Sequence, residues 1–341
     1  MTPSGGARKG VKMRVLVTGG AGFIGSHYVR QVLTGAYPAL RDAEVVVLDK
    51  LTYAGNEANL APVAADPRLR FVRGDICDNA LVTEVMTGVD LVVHFAAESH
   101  VDRSILGSAD FVLTNVLGTQ NLLQAAVEAG VGKFVHVSTD EVYGSIEHGS
   151  WTEDHVLEPN SPYAASKASS DLVARSFFRT HGLPVCVTRC SNNYGPYQFP
   201  EKVIPLFVTN LLDGHKVPLY GDGLNVRDWL HVDDHCHGIQ LVADGGRPGE
   251  IYNIGGGTEL TNRALTEKLL AAVGASWDSV EPVEDRKGHD RRYSVDITKI
   301  GSELGYAPRV SFEDGLAATV AWYTDNRAWW EPLAERAALK E

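Results

Sequence analysis

The stretch that decides the fold reads Arg14-Val15-Leu16-Val17-Thr18-Gly19-Gly20-Ala21-Gly22-Phe23-Ile24-Gly25. Its first five residues have the apolar content and length of a buried strand, and a helical pattern follows the glycines as far as Leu33. Three glycines spaced by three suit a strand-turn-helix unit in which the backbone approaches a pyrophosphate and the helix N-terminus stabilises its charge. Glycines also mark plain tight turns, so the neighbouring sequence must decide between these interpretations.

The next predicted strand supplies an acidic residue at the expected place. This strand covers residues 44–48 and ends at Asp49, which follows Gly25 by 24 residues. A carboxylate there can accept hydrogen bonds from an adenosine ribose and would repel a 2′-phosphate, so the sequence favours NAD over NADP. Lys50 follows immediately and weakens that preference.

Strand and helix patterns alternate through the following segments. The predicted elements are strands over 69–73, 91–94 and 133–137 and helices over 79–86 and 110–129. No internal repeat appears, so the chain predicts an α/β fold with a doubly wound parallel sheet of the Rossmann type. From Asn192 the pattern becomes irregular, with short strands at 217–220 and 251–253, which predicts a smaller mixed α/β C-terminal lobe.

Composition excludes several classes of function. The 341 residues are 44% hydrophobic, and the formal charge of −12 argues against general binding to nucleic acid or to anionic membranes. No apolar run reaches the ~18 residues of a membrane helix, and the first dozen residues lack the apolar core of a signal peptide, so we expect a cytoplasmic protein. Four scattered cysteines show no metal-ligand spacing, so we expect reduced thiols and no metal.

Thr139, Asp140 and Glu141 follow the predicted strand over residues 133–137. A parallel sheet places its crevice at the carboxyl ends of its strands, so a hydroxyl and two carboxylates there predict reaction chemistry. A solvated turn uses the same residue types. Because consecutive side chains of a strand point to opposite faces, the two carboxylates can serve one substrate only if the backbone leaves the extended form.

A second candidate pair lies on the helix predicted to begin near Tyr163. Tyr163 and Lys167 are four residues apart and therefore share one helix face, with Cβ atoms within ~5–6 Å. We expect the lysine ammonium to lower the tyrosine pKa below its usual ~10, so that the phenolate can take a proton from a sugar hydroxyl while hydride leaves the carbon. Tyr-x-x-x-Lys also occurs by chance, but its combination with the glycine turn, Asp49 and Thr139 favours the catalytic interpretation.

The glycine turn, Thr139 and Tyr163-x-x-x-Lys167 together resemble the extended short-chain dehydrogenase/reductase family, over nearly all of residues 13–330. Within that family, three segments resemble the dTDP-glucose 4,6-dehydratases. They are Thr139-Asp140-Glu141, Asn192-Asn193-Tyr194-Gly195-Pro196 and Arg227-Asp228-Trp229-Leu230-His231-Val232-Asp233-Asp234. The Asp140-Glu141 pair is the most specific element, because the related 4-epimerases generally lack two acids after the hydroxyl residue.

The resemblance implies a tightly held NAD and a set of cofactor-binding residues. These are Gly19, Gly22, Phe23, Ile24, Gly25, Asp49, Lys50, Leu51, Thr52, Asp75, Ile76, Phe95, Ala96, Ala97, Ser99, Thr114, Tyr163, Lys167 and Asn193. It also implies a homodimer built on the long helices near Asp110 and Tyr163. Small residues such as Ala96 and Ala97 would let the cofactor lie close over the sheet edge, although close packing alone could also explain them.

The implied reaction removes water from glucose across C5 and C6. Tyr163, Lys167 and Thr139 would act at O4 while C4 is oxidised, because C5–H becomes acidic only beside a carbonyl. Glu141 would then remove the C5 proton, and a protonated Asp140 would deliver a proton to the C6 oxygen. Burial and mutual repulsion can divide two neighbouring carboxyls into an acid and a base.

The substrate side of the resemblance falls mainly on the second lobe, whose basic residues would meet a diphosphate. The implied substrate-binding residues are Ser99, Thr139, Asp140, Glu141, Asn192, Lys202, Val203, Pro218, Leu219, Tyr220, Arg227, Asn262, Asp285, Arg286, Lys287, Gly288, His289 and Tyr293. Arg291 and Arg292 extend the basic cluster. Lys287 departs from the family, which most often has proline there, and this puts the contacts of that loop in question.

These expectations define the domains and the alternatives. Residues 1–12 are interpreted as a flexible leader, 13–191 mainly as the NAD-binding domain, and 192–341 mainly as a nucleotide-sugar lobe with some chain crossing back. The principal hypothesis is a dTDP-glucose dehydratase of deoxysugar biosynthesis. The alternatives are a UDP-glucose 4,6-dehydratase, a sugar-nucleotide 4-epimerase or decarboxylase of the same fold, and a non-catalytic NAD sensor. Asp140 argues against the epimerase, and a sensor would not need Tyr163, Lys167 and Thr139.

Overall fold

The structure, a computed structural model, describes residues 12–338, so all but the last residue of the predicted leader lies outside the described residues. Within this range the strands are β1 Arg14–Thr18, β2 Glu44–Asp49, β3 Leu69–Arg73, β4 Leu91–His94, β5 Lys133–Thr139, β6 Val185–Cys190, β7 Asn192–Tyr194, β8 Val217–Tyr220, β9 Val226–His231, β10 Ile251–Ile254, β11 Glu259–Thr261 and β12 Val280–Val283.

Helices of very different length connect these strands. Within the described residues the α-helices are α1 Phe23–Leu33, α2 Asn79–Met86, α3 Val101–Leu106, α4 Ala109–Phe111, α5 Thr119–Ala129, α6 Pro162–His181, α7 Val203–Leu212, α8 Val232–Gly245, α9 Asn262–Val273, α10 Thr298–Leu304, α11 Phe312–Asp325 and α12 Arg327–Ala338. Val112–Gly118 is π-helical and joins α4 to α5, so the single helix predicted over 110–129 is a composite.

Seven parallel strands form the main sheet in the order β10-β6-β5-β4-β1-β2-β3. Strands β2 and β4 are apolar in their middle and buried along nearly their whole length, because helices cover both faces of the sheet. The order reverses between β1 and β4, and a crevice at the carboxyl ends of strands is expected at such a switch point. This arrangement confirms the predicted doubly wound α/β fold. The strand before the catalytic stretch is two residues longer than predicted and ends at Thr139.

The second half of the chain contributes to the main sheet as well as to the second lobe. β10 pairs with β6 as the edge strand of the main sheet, and α8 packs against β5 and β6. The segment 251–253, which sequence analysis grouped with the irregular half, therefore crosses back to the N-terminal sheet. The remaining strands form a three-stranded sheet, β11-β9-β7, and a two-stranded sheet, β12-β8.

The C-terminal helices close a separate apolar core and also reach the glycine turn. Trp330 is buried in that core, whereas the indole N–H of Trp329 donates to Asn59 Oδ1 over 3.0 Å. The amide of Asn59 in turn donates to the carbonyl oxygen of Ala21, inside the glycine turn, over 2.9 Å. Helix α12 is thus linked by two hydrogen bonds to the turn after β1. Among residues 12–338, no helix has the length and apolar character needed to cross a membrane.

Candidate active site

The glycine turn lies too close to its neighbours to carry side chains. Gly19 has φ +68°, and a Cβ there would lie 2.6 Å from the amide nitrogen of Ala96 at the end of β4. A Cβ on Gly25 would lie 2.3 Å from the carbonyl oxygen of Gly19. Helix α1 begins directly after Gly22, and no described side chain caps it. Its first-turn amides are therefore available to an anionic ligand.

Asp49 closes the end of β2 beside this turn. Its carboxylate accepts from the amides of Ala21 and Leu51 over 2.9 and 2.8 Å. Burial raises the pKa of Asp49, and the two amide hydrogen bonds oppose that shift. The oxygens keep further lone pairs for a ribose. Lys50, which weakened the preference for NAD, forms an ion pair with Asp75 over 2.7 Å, so its charge is already compensated.

A continuous cleft runs from the glycine turn to the end of β5; we call it the cofactor cleft. The predicted cofactor residues that line it are Gly19, Gly22, Phe23, Ile24, Gly25, Asp49, Lys50, Thr52, Asp75, Ile76, Phe95, Ala96, Ala97, Ser99, Thr114, Tyr163, Lys167 and Asn193. Leu51 lies outside this lining set and contributes its amide to Asp49. Sequence analysis missed Glu98, although its place between Ala97 and Ser99 after β4 indicated it.

The segment Thr139-Asp140-Glu141 leaves the extended form where two carboxylates on one face require it to do so. β5 ends at Thr139, and Asp140–Tyr143 form a single 3₁₀ turn. The Thr139 hydroxyl stabilises this turn by accepting from the amide of Glu141 over 3.3 Å. Asp140 and Glu141 consequently both line the cofactor cleft. The geometric condition set by the strand periodicity is met.

The two carboxyls have different electrostatic surroundings. Burial raises the pKa of Asp140 well above its ordinary value, and the charges of Glu141 and Asp228 raise it further. Burial also raises the pKa of Glu141, but three cations, Lys202, Arg227 and Arg286, oppose that rise, whereas of these three only Arg227 acts against the rise at Asp140. Asp140 is therefore the carboxyl that holds a proton more firmly, and Glu141 is the one that ionises more readily.

Tyr163 and Lys167 both face the cofactor cleft, but their electrostatics differ from the prediction. Burial raises the pKa of Tyr163 well above 10, and the neighbouring Glu141 raises it further. The Lys167 ammonium donates instead to the carbonyl oxygen of Val137 over 2.8 Å. The tyrosine pKa is therefore raised where the sequence predicted that it would be lowered. Loss of hydration around the buried phenol is the dominant effect.

A second cleft opens between the main sheet and the second lobe; we call it the substrate cleft. The predicted substrate residues that line it are Ser99, Glu141, Asn192, Lys202, Val203, Pro218, Leu219, Tyr220, Arg227, Asn262, Arg286, Gly288, His289 and Tyr293. Thr139 and Asp140 line the cofactor cleft instead. Glu141 and Lys202 line both clefts, so the two spaces meet at the proposed base.

The basic residues of the second lobe divide into two groups. Arg227 lines the substrate cleft, with its guanidinium 4.1 Å from the ring centroid of Tyr293. Arg286 also lines it and lies 3.6 Å from Asp102 of α3. Arg291 and Arg292, in contrast, lie outside the described lining and pair with acidic residues, Arg291 with Asp222 on the surface and the half-buried Arg292 with Glu259. The predicted basic cluster is thus split, because its last two members are already compensated by carboxylates.

The loop after β12 also splits the predicted residues. Asp285 is exposed and accepts from His289 Nδ1 over 2.6 Å, and Lys287 is exposed as well. Both lie outside the described lining of the substrate cleft, whereas Gly288 and His289 belong to it. Sequence analysis missed Asp290, which also lines the cleft, because a single acidic residue beside two arginines gives no distinguishing signal. Among residues 12–338, no group of three or more His, Cys, Asp or Glu side chains is placed to hold a metal ion.

A Rossmann sheet, a hydroxyl residue at the end of β5 and a Tyr-x-x-x-Lys pair in the adjoining cleft define the class of the extended short-chain dehydrogenases/reductases. The family model described as GDP-mannose 4,6 dehydratase matches residues 16–319. The chain is 67% identical to the dTDP-glucose 4,6-dehydratase of Streptomyces antibioticus over 96% of this chain and 97% of that protein. It belongs to the family of the dTDP-glucose 4,6-dehydratases.

Solved structures agree with this assignment. The crystal structure of DesIV, a dTDP-glucose 4,6-dehydratase from Streptomyces venezuelae with NAD and TDP bound, is 71% identical in sequence with a TM-score of 0.93, covering 94% of this chain and all of that one. A UDP-glucose 4-epimerase from Thermotoga maritima, solved with UDP-glucose, is 34% identical with a TM-score of 0.83, covering 92% of this chain and 100% of the epimerase. The epimerase shares the fold at much lower identity.

Proposed function

We propose that the protein converts dTDP-glucose to dTDP-4-keto-6-deoxyglucose, with NAD reduced and reoxidised in each turnover. The observation that carries this proposal is the 3₁₀ turn after β5. It directs two adjacent carboxyls, Asp140 and Glu141, into one cleft beside Tyr163. An elimination of water needs both a base and an acid, and this turn supplies both.

The residues of the cofactor cleft fit NAD. Side chains are sterically excluded at Gly19 and Gly25, and the uncapped start of α1 can receive a pyrophosphate. Asp49 can hold an unphosphorylated ribose, while the pairing of Lys50 with Asp75 removes a charge that could have favoured a 2′-phosphate. Bound NAD supplies a hydride acceptor at C4 and a hydride donor at C6.

Oxidation at C4 requires removal of the O4 proton. Tyr163 would take this proton, and Thr139 would hydrogen-bond the same oxygen. Burial raises the pKa of Tyr163, and positive charge in the cleft favours its phenolate. Lys167 contributes part of that charge and is held in place by the carbonyl of Val137.

Elimination follows because the new C4 carbonyl acidifies C5–H. Glu141 would remove the C5 proton, and Asp140 would deliver a proton to the leaving C6 oxygen. The surroundings of the two carboxyls support this order, since the pKa of Asp140 is raised by burial and by Glu141, whereas cations near Glu141 favour its ionised form. The acid and the base are therefore assigned by environment and not by residue type.

The substrate cleft would hold the nucleotide diphosphate. Arg227 presents a planar fork for a phosphate, and Lys202 lies at the junction of the clefts, where its ammonium also donates to the carbonyl of Ser99 over 2.9 Å. A UDP-glucose 4,6-dehydratase is the second candidate, because thymine and uracil differ by one methyl group. A 4-epimerase would have no use for Asp140.

We also propose that the protein is a homodimer. Val112, Leu113 and Leu117 on the π-helical segment and Leu172 on α6 are between 45% and 56% exposed, and these helices are packed side by side. A shared apolar face of two neighbouring helices suits an isologous four-helix contact. Sedimentation at micromolar concentration should give twice the chain mass, and Leu117→Glu with Leu172→Glu should give the monomer.

The cytoplasmic location remains a prediction from the sequence.

A direct assay tests the reaction. The purified protein is incubated separately with dTDP-glucose and UDP-glucose, and the product is followed by its alkaline absorbance as a 4-keto sugar and by loss of one water in mass. We expect water loss from dTDP-glucose. Loss of water only from UDP-glucose would support the second candidate. Inversion at C4 without loss of water would support an epimerase. No reaction with either nucleotide sugar would contradict a dehydratase.

A further inference from the structure

Asp290 is a buried carboxylate whose two oxygens are both committed to hydrogen bonds. It is 6% exposed, lies at the wall of the substrate cleft, and accepts from the Tyr293 hydroxyl through Oδ2 over 2.6 Å. Its Oδ1 accepts from the amide of Asn160 over 2.6 Å. Hydrogen bonds to a carboxylate are strong, so this side chain fixes one nearby residue, Tyr293, and one residue far away in the chain, Asn160.

The main chain of Asp290 fixes the arginine of the same cleft. Its carbonyl oxygen accepts from Arg227 Nη2 over 2.9 Å and from the amide of Asn225 over 3.1 Å. Arg227 also donates through Nη1 to the carbonyl of Val226 and stacks on the ring of Tyr293. The main-chain carbonyl of Asp290 and the ring of Tyr293 therefore both orient the guanidinium of Arg227. The ring of Tyr293 is itself held by the side chain of Asp290.

The other partner of the Asp290 side chain, Asn160, lies just before the helix that carries Tyr163. Asn160 directly precedes Ser161, whose hydroxyl caps helix α6 by accepting from the amide of Ala164 over 3.1 Å. Gly288 also packs on this point, since a Cβ there would lie 3.0 Å from the carbonyl oxygen of Asn160. The loop after β12 is thus anchored to the start of the helix that carries Tyr163.

We propose that Asp290 is a positioning residue that holds Arg227 and Tyr293 in the orientation that binds the diphosphate of the sugar nucleotide, and that it anchors this arrangement to the start of α6 through Asn160. The proposal rests on the proposed function for the identity of the ligand. Without the carboxylate, Arg227 keeps its charge and its bonds to main-chain carbonyls, but Tyr293 loses the acceptor that holds its ring against the guanidinium. The cost therefore falls on substrate affinity and not on the chemical step.

Asp290→Asn is the first test, because it keeps the shape of the side chain but removes its charge and one of its two acceptor oxygens, so that Tyr293 and Asn160 can no longer both donate to a carboxylate. We expect KM for dTDP-glucose and Kd for dTDP alone to rise about tenfold, which is the scale of one lost charge-assisted hydrogen bond. We expect kcat to change less than about threefold and NAD content to stay the same. Asp222→Asn, which removes the exposed partner of Arg291, is the matched control and should change neither constant.

A reciprocal exchange separates positioning from general loss of structure. In Asn160→Asp combined with Asp290→Asn, the carboxylate and amide change places, so the hydrogen bond between them can form again while the amide now at position 290 still offers an oxygen to Tyr293. We expect this double variant to recover, on a logarithmic scale, at least half of the dTDP affinity that Asp290→Asn loses. Asn160→Asp alone places two carboxylates side by side and should bind dTDP most weakly. Equal affinity of Asp290→Asn and the unaltered protein would overturn the proposal, as would a double variant no better than either single one.

Two further measurements keep the result decisive. If Asp290→Asn does not fold, Asn160→Ala replaces it as the test. Asn160 lies outside the described lining of both clefts, and the change removes the N–H that donates to Asp290 Oδ1. It should raise Kd for dTDP about threefold with kcat unchanged. An unchanged Kd would contradict the proposal. Binding of dTDP needs no turnover, so an unaltered protein that binds dTDP but releases no water from dTDP-glucose would refute the proposed reaction and leave the role of Asp290 to be decided by these affinities.

Discussion

The two clefts that meet at Glu141 are built in different ways. The cofactor cleft is formed by consecutive strand ends, and at its glycine turn the backbone itself is the wall, as the close approach of Gly19 to Ala96 illustrates. The substrate cleft is formed by side chains from separate segments, joined by contacts such as the one between Asn160 and Asp290, which are 130 residues apart. The first cleft depends on spacing along the chain, and the second depends on charges brought together by folding.

This difference predicts which constants respond to change. Damage to the cofactor cleft should appear as loss of bound NAD, damage to the substrate cleft as a higher KM, and only damage at their junction should separate oxidation at C4 from the loss of water. Glu141 lines both clefts, and residues of both determine its environment. Burial raises the pKa of Glu141, and the charges of Lys202 and Arg227 oppose that rise.

The largest effect is expected for Glu141→Gln at the junction. Without a base, the C5 proton stays in place, so formation of the 4-keto-6-deoxy product should fall by about 10³-fold or more. Substrate should still reduce the bound NAD, and the near-ultraviolet absorbance of the reduced nicotinamide should accumulate. Glu158→Gln, on the exposed loop beyond the same turn, is the control and should turn over normally. Product formation at the unaltered rate would remove Glu141 from its role.

The next effect is expected for Arg227→Lys in the substrate cleft. Lysine keeps the positive charge but loses the planar fork and the stacking on Tyr293, so KM for dTDP-glucose should rise about tenfold while kcat changes little. Arg291→Lys, on the surface, should leave steady-state kinetics unchanged. A fall in kcat without a rise in KM would break the proposed division between the clefts.

A smaller effect is expected from pH. Glu141 must be ionised to act, and burial raises its pKa, so turnover should decline as pH falls toward that raised value, by at most about tenfold per pH unit. Reduction of bound NAD by substrate in Glu141→Gln uses Tyr163 and not Glu141 as its base, so its pH profile should lack the decline that Glu141 contributes and should differ in shape from that of turnover. If both profiles decline in parallel, another group is responsible for the acid limb.

The smallest effect is expected for Trp329→Phe, behind the cofactor cleft. Phenylalanine keeps an aromatic ring but removes the N–H that donates to Asn59, which in turn holds Ala21 in the glycine turn. NAD retained after gel filtration should fall by about twofold to fivefold, the scale of one neutral hydrogen bond, with KM unchanged. Trp322→Phe alters the same aromatic cluster without touching Asn59 and should retain NAD normally. Equal losses from both variants would assign the effect to packing.

Local patterns predicted most of the sheet, whereas the resemblance to a known family supplied most of the residues of the cofactor cleft. Strands β1, β3, β4 and β8 have the predicted ends, because each is a short stretch of strand-forming residues bounded by turn residues. The prediction failed where a contact overrides a local pattern. Lys167 was expected to lower the pKa of Tyr163, but it donates to Val137, and burial determines the pKa of the phenol. Only the folded chain fixes where an ammonium points and how much water is excluded.

The sequence by itself determined the class of fold, since glycine spacing, strand periodicity and the Tyr-x-x-x-Lys interval act over a few residues, and its resemblance to a known family supplied most of the residues placed in the cofactor cleft. Tertiary structure alone decided that Asp140 and Glu141 face one cleft, that Arg291 and Arg292 are paired with acidic residues away from the substrate cleft, and that the main chain of Asp290 holds Arg227. Such properties depend on burial and on charges from segments far apart in the chain, which no local pattern encodes.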